Sequence, residues 1–368
     1  MGNRKVYITG VGNVSPQNTA GNPDFPEEII SAYSTFLKCR EPNYKEYIPG
    51  DMVRRMSRLI KMGVAAAKIC LQDAAPPMSP PPGGEGGGVP DAIITGTGLG
   101  CIEDTEKFLT TMITNNEELL TPTSFIQSTH NTVSAQIALL LKCHNYNFTY
   151  VHRGLSFESA ILDSMMNIET GHAETVLLGG SDELTANTHA ILQRLGQVRA
   201  KPINTLDLFK DKTRGSVAGE GAAFFLLSST QGIKDYGRIK GVHTFLKPSG
   251  LDETVDRISG FLEQHGLRKT LPDLIILGNN GDQTDDSIYD KVFNRLFNNS
   301  PRGFYKHLCG EYFTSTSFAL WLAAMIMKSQ VVPPVILKAG SMPGKINNIL
   351  IYNHFRNIDH SLILVSHS

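Results

Sequence analysis

The stretch NFTYVHRGLSFESA, from Asn147 to Ala160, decides the fold. It leads into a segment of helical character that ends near Gly171, and the apolar strand ETVLLGGS follows from Glu174. A strand, a tight turn and a buried helix together present a nucleophile at a helix N-terminus, where the helix dipole lowers the pKa of a thiol. The residue at the point of this turn is Gly154, which has no side chain and cannot attack a substrate.

Composition is that of a globular chain with a sizeable core. Of the 368 residues, 41% are apolar and 19% are charged. The net charge of -1 gives no overall field that would attract nucleic acid, and the longest basic run is Arg54-Arg55 with Arg58 and Lys61. An acidic carrier protein is not excluded as a partner, because it needs only a local basic patch.

The cysteine pattern and the hydropathy of the sequence indicate the cellular compartment of the protein. Five cysteines are scattered along the chain without CxxC spacing, which is typical of reduced thiols rather than of disulfides or a zinc site. The most apolar run, Phe318–Met327, has about half the length that a membrane span needs. We therefore expect a cytoplasmic protein without membrane contact, metal or cofactor.

Strand and helix patterns alternate along the chain with glycine-rich turns. Lys5–Gly10 predicts a buried strand, while Pro26–Phe36 and Met56–Ala74 predict helices. The proline- and glycine-rich segment 75–90 predicts a flexible loop within a domain. This order predicts a layered α/β architecture with an internal duplication.

Gly10 and Gly12 form half of a dinucleotide-binding fingerprint. A third glycine opening a helix is missing, and Pro16 stands where that helix should begin. Nucleotide binding is therefore not predicted.

Motifs spread over nearly the whole chain resemble those of the β-ketoacyl-acyl-carrier-protein synthases of the thiolase fold. In order, they are VYITGVGNVSP (6–16), GTGLG (96–100), LLGGSDE (177–183), DKTRGSVAGEGAA (211–223), GNNGD (278–282), VVPP (331–334) and YNHF (352–355). The resemblance implies a thiolase-like α/β fold of two duplicated halves, 1–228 and 229–368. Each half would be a mixed five-stranded sheet with helices, and together they would form five αβαβα layers.

The same resemblance identifies the positions that carry the family's chemistry. A cysteine takes the acyl chain, and two histidines hold the malonyl thioester and assist its decarboxylation. The matching residues here are Gly154 for the cysteine, Asn280 for the first histidine and Glu311 for the second, whereas Lys306 is retained. Asn280 can still donate a hydrogen bond to a thioester oxygen, but an ionised Glu311 would repel the malonyl carboxylate and the enolate. The resemblance therefore implies an inactive centre.

Four residues near these positions are candidates to face a substrate or a partner. His152 and Arg153 replace small family residues just before the turn. They either reach toward the partner's active site or the carrier's phosphopantetheine, or they fill the cavity of a lost acyl pocket, which is the interpretation we favour. Phe355 and Arg356 begin a short charged loop where the family has a glycine-rich gate, which puts admission of an acyl chain in doubt.

Ser156 is a further candidate, because GLSFE is a broken form of the G-x-S-x-G nucleophile elbow. With His130 or His152 it could act as a hydrolase nucleophile, although a serine at a helix start more commonly caps the helix. Lys306 and Glu311 are expected to form a structural ion pair, with Glu220 as a third member.

The resemblance is strongest in form to chain-length-factor subunits, which are ketosynthase copies that lack the cysteine and pair with an active ketosynthase. The segments FIQSTHNTVSAQIALLL (125–141) and YVHRGLSFESA (150–160) look like those from aryl polyene clusters. We expect a non-catalytic subunit that dimerises around 128–160, helps to set acyl chain length and works with an acyl carrier protein. The alternatives are a divergent active synthase or acyl hydrolase using Ser156, and a scaffolding homodimer.

Overall fold

The computed structural model describes residues 4–74, 89–211, 213–234, 236–268, 270–297, 300–340 and 344–368. The predicted loop over 75–90 lies outside the described residues, except for Val89 and Pro90.

The described residues form these strands: β1 Val6–Val14, β2 Tyr33–Ser34, β3 Phe36–Leu37, β4 Ala92–Gly96, β5 Tyr146–Tyr150, β6 Thr175–Asp182, β7 Ile203–Asn204, β8 Ala218–Gly219, β9 Gly221–Ser228, β10 Arg238–Leu246, β11 Leu274–Leu277, β12 Arg302–Phe304, β13 Leu337–Ala339, β14 Asn348–Phe355 and β15 Asp359–Ser366. The helices are α1 Gly50–Val53, α2 Arg58–Asp73, α3 Ile102–Thr114, α4 Pro122–Ser128, α5 Thr132–Leu141, α6 Ser156–Glu169, α7 Ala186–Arg194, α8 Leu251–Gln264, α9 Gln283–Leu296, α10 Lys306–Cys309 and α11 Thr316–Ser329.

One strand pattern occurs twice in the large sheet. In the first half the order is β5-β4-β6-β9-β1, and in the second half it is β12-β11-β14-β15-β10. In each half the first two pairings are parallel and the next two are antiparallel. The halves meet where β1 pairs with β10, and β13 extends the far edge beside β12. This repeat agrees with the predicted internal duplication, while the division at 228 and 229 stays a prediction.

Helices and sheet halves alternate in five layers, and the described residues form three large apolar cores. The central core lies between the two halves of the sheet and contains the buried faces of α6 and α11. A second core joins α2 and α5 to the outer face of the first half, and a third joins α8 and α9 to the outer face of the second half. Helix α11, which contains the most apolar run of the sequence, is buried from Thr316 to Met327. In the part of the chain that the structure describes, no helix is long and apolar enough to cross a bilayer.

The glycines of β1 have a packing role. A Cβ atom on Gly12 would lie 2.1 Å from the Ala66 carbonyl oxygen, and one on Gly10 would lie 2.6 Å from that of Cys70. Both oxygens belong to α2, so these glycines allow the helix backbone to rest directly on the strand. Close packing therefore accounts for Gly10 and Gly12, the two glycines that resemble half of a dinucleotide-binding fingerprint.

The helix predicted over Pro26–Phe36 is absent, and the segment ends in the short strand β2 and the start of β3. Its backbone groups bond elsewhere: Ile30 N–H donates to the Gln17 side chain, and Thr205 N–H donates to the Ala32 carbonyl. Tertiary hydrogen bonds therefore override the local helical pattern.

Replacing Gly12 with alanine tests the packing of α2 on β1. Because the new Cβ would overlap the backbone of α2, we expect Gly12→Ala to lower the free energy of unfolding by about 1–3 kcal/mol. The control is Gly260→Ala, at an exposed position in α8 with nothing within 4 Å of the added Cβ. This control should raise stability by about 0.4–1 kcal/mol. Equal effects of the two substitutions in denaturant titrations would contradict the packing argument.

Candidate functional site

The turn at Gly154 has the form that the sequence predicts. Strand β5 ends at Tyr150, a single 3-10 turn spans Arg153–Leu155, and α6 begins at Ser156. Gly154 is buried at the N-terminal end of α6. The scaffold that presents a nucleophile is therefore present, with glycine at its point.

Ser156 caps this turn. It is fully buried, its Oγ accepts a hydrogen bond from the His152 backbone N–H (2.8 Å) and donates one to the Arg153 carbonyl (2.8 Å). The hydroxyl proton is thus engaged by the backbone rather than by a histidine base. Nothing in this geometry favours the hydrolase interpretation.

Phe355 occupies the space beside Gly154 that a side chain would need. A Cβ atom at position 154 would lie 2.8 Å from the Phe355 Cβ and 3.1 Å from Oδ2 of Asp359. Phe355 and Asp359 are cross-strand partners at the end of the β14–β15 hairpin. The Asp359 carboxylate also accepts a hydrogen bond from the Gly154 backbone, which opposes the rise in its pKa caused by burial. A cysteine at 154 would therefore require the hairpin to move.

A second glycine makes room for a second phenylalanine in the same place. A Cβ atom on Gly98 would lie 2.3 Å from the Phe313 ring. The rings of Phe313 and Phe355 are 5.0 Å apart and tilted by 49°, a favourable aromatic geometry. The two glycines therefore accommodate an apolar plug in front of the turn.

Asn280 and Glu311, the two residues that the resemblance matches to the family's histidines, bond to each other. Glu311 Oε2 accepts hydrogen bonds from Asn280 Nδ2 (2.8 Å) and from Lys306 Nζ (2.7 Å), and Lys306 is almost fully buried. Asn280 Nδ2 also donates to Asp285 (3.3 Å). The side-chain amide of Asn280, which we expected to donate to a thioester oxygen, is therefore already hydrogen-bonded within the protein. The predicted ion pair between Lys306 and Glu311 is confirmed.

Glu220 is not a member of that ion pair, contrary to expectation. Its carboxylate binds the guanidinium of Arg58 and accepts a hydrogen bond from the Cys39 backbone N–H (2.9 Å). Glu220 is fully buried, so its charge needs these partners close by.

His152 and Arg153 are exposed, so they do not fill an interior cavity. The favoured interpretation was wrong because the main chain turns outward here: Arg153 has a φ of 50°, while Gly154 is buried. His152 Nδ1 lies 3.1 Å from Ser159 Oγ on the first turn of α6.

A cavity of about 420 Å³ brings four of the predicted positions together. Its lining includes Asn280, Glu311, Phe355 and Arg356, whereas Gly154 lies behind Phe355. The sequence did not identify four other lining residues that give the cavity its charge and its aromatic wall, namely Arg214, Asp285, Tyr312 and Phe313. No sequence signal marks Phe313.

Glu158 is a buried acid that the sequence did not identify. It lies in the first turn of α6 and is fully buried; its Oε1 accepts a hydrogen bond from Ser361 Oγ (2.9 Å). Burial raises the pKa of the Glu158 carboxyl to about 7, although hydrogen bonds from its own backbone N–H and from Ser361 oppose the rise. The carboxyl therefore titrates near neutral pH inside the central core.

The five-layered fold, with a strand, a tight turn and a buried helix at Gly154, is that of the thiolase-like proteins. The family described as "Beta-ketoacyl synthase, N-terminal domain" matches residues 22–232, more than half of the chain. This chain belongs to the β-ketoacyl synthase family.

Solved structures agree with this fold. The chain is similar to the ishigamide ketosynthase/chain length factor, with a TM-score of 0.78, 17% identity and 100% of both chains covered. It is also similar to a ketosynthase in complex with its chain length factor from Xenorhabdus doucetiae (TM-score 0.73, 15% identity, 99% of this chain and 98% of that chain). A third similar structure is a type II polyketide acyl-carrier protein in complex with its ketosynthase (TM-score 0.71, 14% identity, 99% of both chains).

The contact between Gly154 and Phe355 can be tested with a double-mutant cycle. Gly154→Ala should lower the free energy of unfolding by about 1–3 kcal/mol, because its Cβ overlaps that of Phe355. In a Phe355→Gly background the same substitution should cost at least about 1 kcal/mol less. Gly50→Ala, where the added Cβ meets nothing within 4 Å, is the control and should change stability little in either background. Additive effects at positions 154 and 355 would show that the two residues are not in conflict.

The buried Glu158 predicts a dependence of stability on pH. Its folded-state pKa of about 7 is above the ordinary value of 4.5, so its contribution to stability is lost as pH rises through that interval. Between about pH 5 and pH 8, Glu158→Gln, which cannot ionise, should therefore gain about 2.5 kcal/mol of stability relative to the wild type. Urea titrations at both pH values measure this difference directly. A constant difference at the two pH values would contradict the burial of an ionising carboxyl.

Proposed function

We propose that this chain is a non-catalytic, chain-length-factor-type subunit. It pairs with a catalytically complete β-ketoacyl synthase in polyketide- or fatty-acid-type biosynthesis and helps to set acyl chain length. The observation that carries the proposal is the occupied space at the nucleophile turn, where Phe355 takes the room that a side chain at 154 would need. A single reverse substitution could not restore a nucleophile in that turn without rearranging the hairpin.

The replaced histidine positions support the same conclusion. The family's condensation needs hydrogen-bond donors that face the developing enolate. Here the amide of Asn280 donates to Glu311 and Asp285, and the ammonium group of Lys306 donates to Glu311. Both N–H bonds of the Asn280 amide are therefore taken up by acceptors of the same protein.

A surface that needs a partner lies at the edge of the sheet. Strand β5 pairs only with β4 among the described strands. On one face of β5, Tyr146, Phe148 and Tyr150 form a ladder of neighbouring rings, and the first two are nearly half exposed. An exposed aromatic edge strand promotes pairing with another chain unless a partner covers it. This edge belongs to the segment 128–160 through which we expect the subunit to dimerise.

The apolar surface continues from that edge onto neighbouring helices. Exposed side chains on α3, α4, α5 and α6 include Ile113, Phe125, Ile126, Leu139 and Met166. Apolar side chains at a subunit interface can form part of the wall of a partner's acyl tunnel, which is how such a subunit would limit chain length.

A basic groove suits an acidic acyl carrier protein. Its cavity, of about 820 Å³, is lined by Arg54, Arg55, Lys61 and Lys107, together with Arg58 and several acids. Arg58 is paired with Glu41 and Glu220, whereas Arg54, Arg55 and Lys107 are exposed. A carrier protein could therefore be attracted locally although the whole chain has no excess of positive charge.

The biosynthetic context that we propose is that of aryl polyenes or related polyene pigments, in the cytoplasm. It follows from the resemblance of segments 125–141 and 150–160 to those of aryl polyene clusters. The similar solved structures that contain chain length factors support the subunit role. The polyene context can be tested by identifying the genes next to the one that encodes this chain.

Co-expression with an active ketosynthase that keeps its cysteine and two histidines tests the proposal. We expect the two chains to elute together as a one-to-one complex in size-exclusion chromatography with light scattering. Phe148→Asp, which puts a charge on the aromatic edge, should weaken the complex about tenfold or more. Ile233→Asp, at an exposed apolar position away from that edge, is the matched control. Recovery of this chain only as a homodimer would favour the scaffolding alternative instead.

A further inference from the structure

The cavity beside Phe355 has apolar walls and an acidic floor. Helix α7 and the following loop supply Leu192, Leu195 and Val198, and the opposite wall is formed by Tyr312, Phe313 and Phe355. Its volume of about 420 Å³ is in the range of small-molecule sites. The cavity is large enough for a short apolar body with a polar group at each end.

The floor offers hydrogen-bond acceptors without matching donors. Glu311 uses Oε2 for both of its side-chain hydrogen bonds, and Asp285 uses Oδ2 for its bond to Asn280. Within the described residues, Oε1 of Glu311 and Oδ1 of Asp285 accept no hydrogen bond, and both residues line the cavity. An ammonium group has three donors and no acceptor, so it complements these two free oxygens.

The charge of the floor is negative. The Lys306 ammonium balances Glu311, so the carboxylate of Asp285 supplies the excess. Burial raises the pKa of Asp285 to about 6, which leaves the carboxylate mostly ionised at pH 7.5 and above. Asp282, also in the lining, adds a negative charge, although its oxygens already accept bonds from the backbone of Gly215, Thr284 and Asp285.

The rim of the cavity carries the opposite charge. Arg214 and Arg356 both line it, and both are exposed. Neither guanidinium forms an ion pair with an acid of the described ranges. The charge therefore changes from negative at the floor to positive at the mouth, and a guanidinium group is well suited to hold a carboxylate or phosphate there.

We propose that this cavity binds a small zwitterion, with its ammonium group at Asp285 and Glu311 and its anionic group between Arg214 and Arg356. A malonyl-type carboxylate, the charge that the family's active site accepts, is disfavoured at the same floor because two carboxylates would face it. The apolar walls take the linker between the two charges. The proposal goes beyond the role in a ketosynthase complex and does not depend on it.

Three linear six-carbon probes separate the contributions of the two ends. They are ε-aminocaproate, n-hexylamine and n-hexanoate, which carry both charges, only the cation and only the anion. In calorimetric or ligand-observed NMR titrations of the purified chain, ε-aminocaproate should bind most tightly and n-hexylamine next. Hexanoate should bind at least about tenfold more weakly than n-hexylamine. Hexanoate binding as tightly as n-hexylamine would overturn the proposal, as would no binding of either amine up to about 20 mM.

Variants identify the groups that hold each end. Asp285→Asn should weaken both amines about tenfold, whereas Arg356→Gln should weaken only ε-aminocaproate. Asp256→Asn, an exposed acid of α8, is the control and should leave all titrations unchanged. If Asp285→Asn does not fold, as judged by circular dichroism, Glu311→Gln tests the same floor. Unchanged amine binding in the folded floor variant would overturn the assignment, whatever the outcome of the ketosynthase co-expression.

Discussion

The contact between Gly154 and Phe355 is the constraint on which the rest of the site depends. A turn that presents a nucleophile needs open space in front of its central residue, and here that space contains a phenylalanine from the β14–β15 hairpin. The hairpin is held in place by antiparallel pairing along both strands and by the bond between the Gly154 backbone and Asp359. Because strands in a packed core shift only at a cost in free energy, the plug is as firmly placed as the fold itself.

The polar side of the site is organised in a related way. Lys306 lies on α10, and its ammonium group donates a hydrogen bond to Glu311. Glu311 also accepts a hydrogen bond from the side-chain amide of Asn280. Lys306, Asn280 and Glu311, which the family resemblance places at the thioester-binding positions, are thus joined into one internal network. What remains exposed is the aromatic edge of β5, a surface whose burial requires a second chain. The proposed function is that of a condensing-enzyme scaffold whose chemistry has been replaced by internal contacts and an interface.

Much of this arrangement could be predicted from the sequence, because it is carried by local motifs. The turn at Gly154 and the first strand follow from short patterns of glycine and apolar residues, and the pair Lys306–Glu311 follows from the family resemblance. The contact of Phe355 with Gly154 could not be predicted, since it joins residues about two hundred positions apart through the register of a hairpin. The helix expected over Pro26–Phe36 failed for the same kind of reason, because its backbone bonds to Gln17 and Thr205 rather than to itself.

The central claim is that this chain provides structure, and not a nucleophile, to a ketosynthase complex. Intact-protein mass spectrometry of the complex after incubation with an acyl-loaded carrier protein tests it most directly. We expect the acyl adduct on the cysteine of the active partner and an unchanged mass for this chain. A stoichiometric acyl adduct on this chain, localised by peptide mapping to any of its residues, would contradict the account.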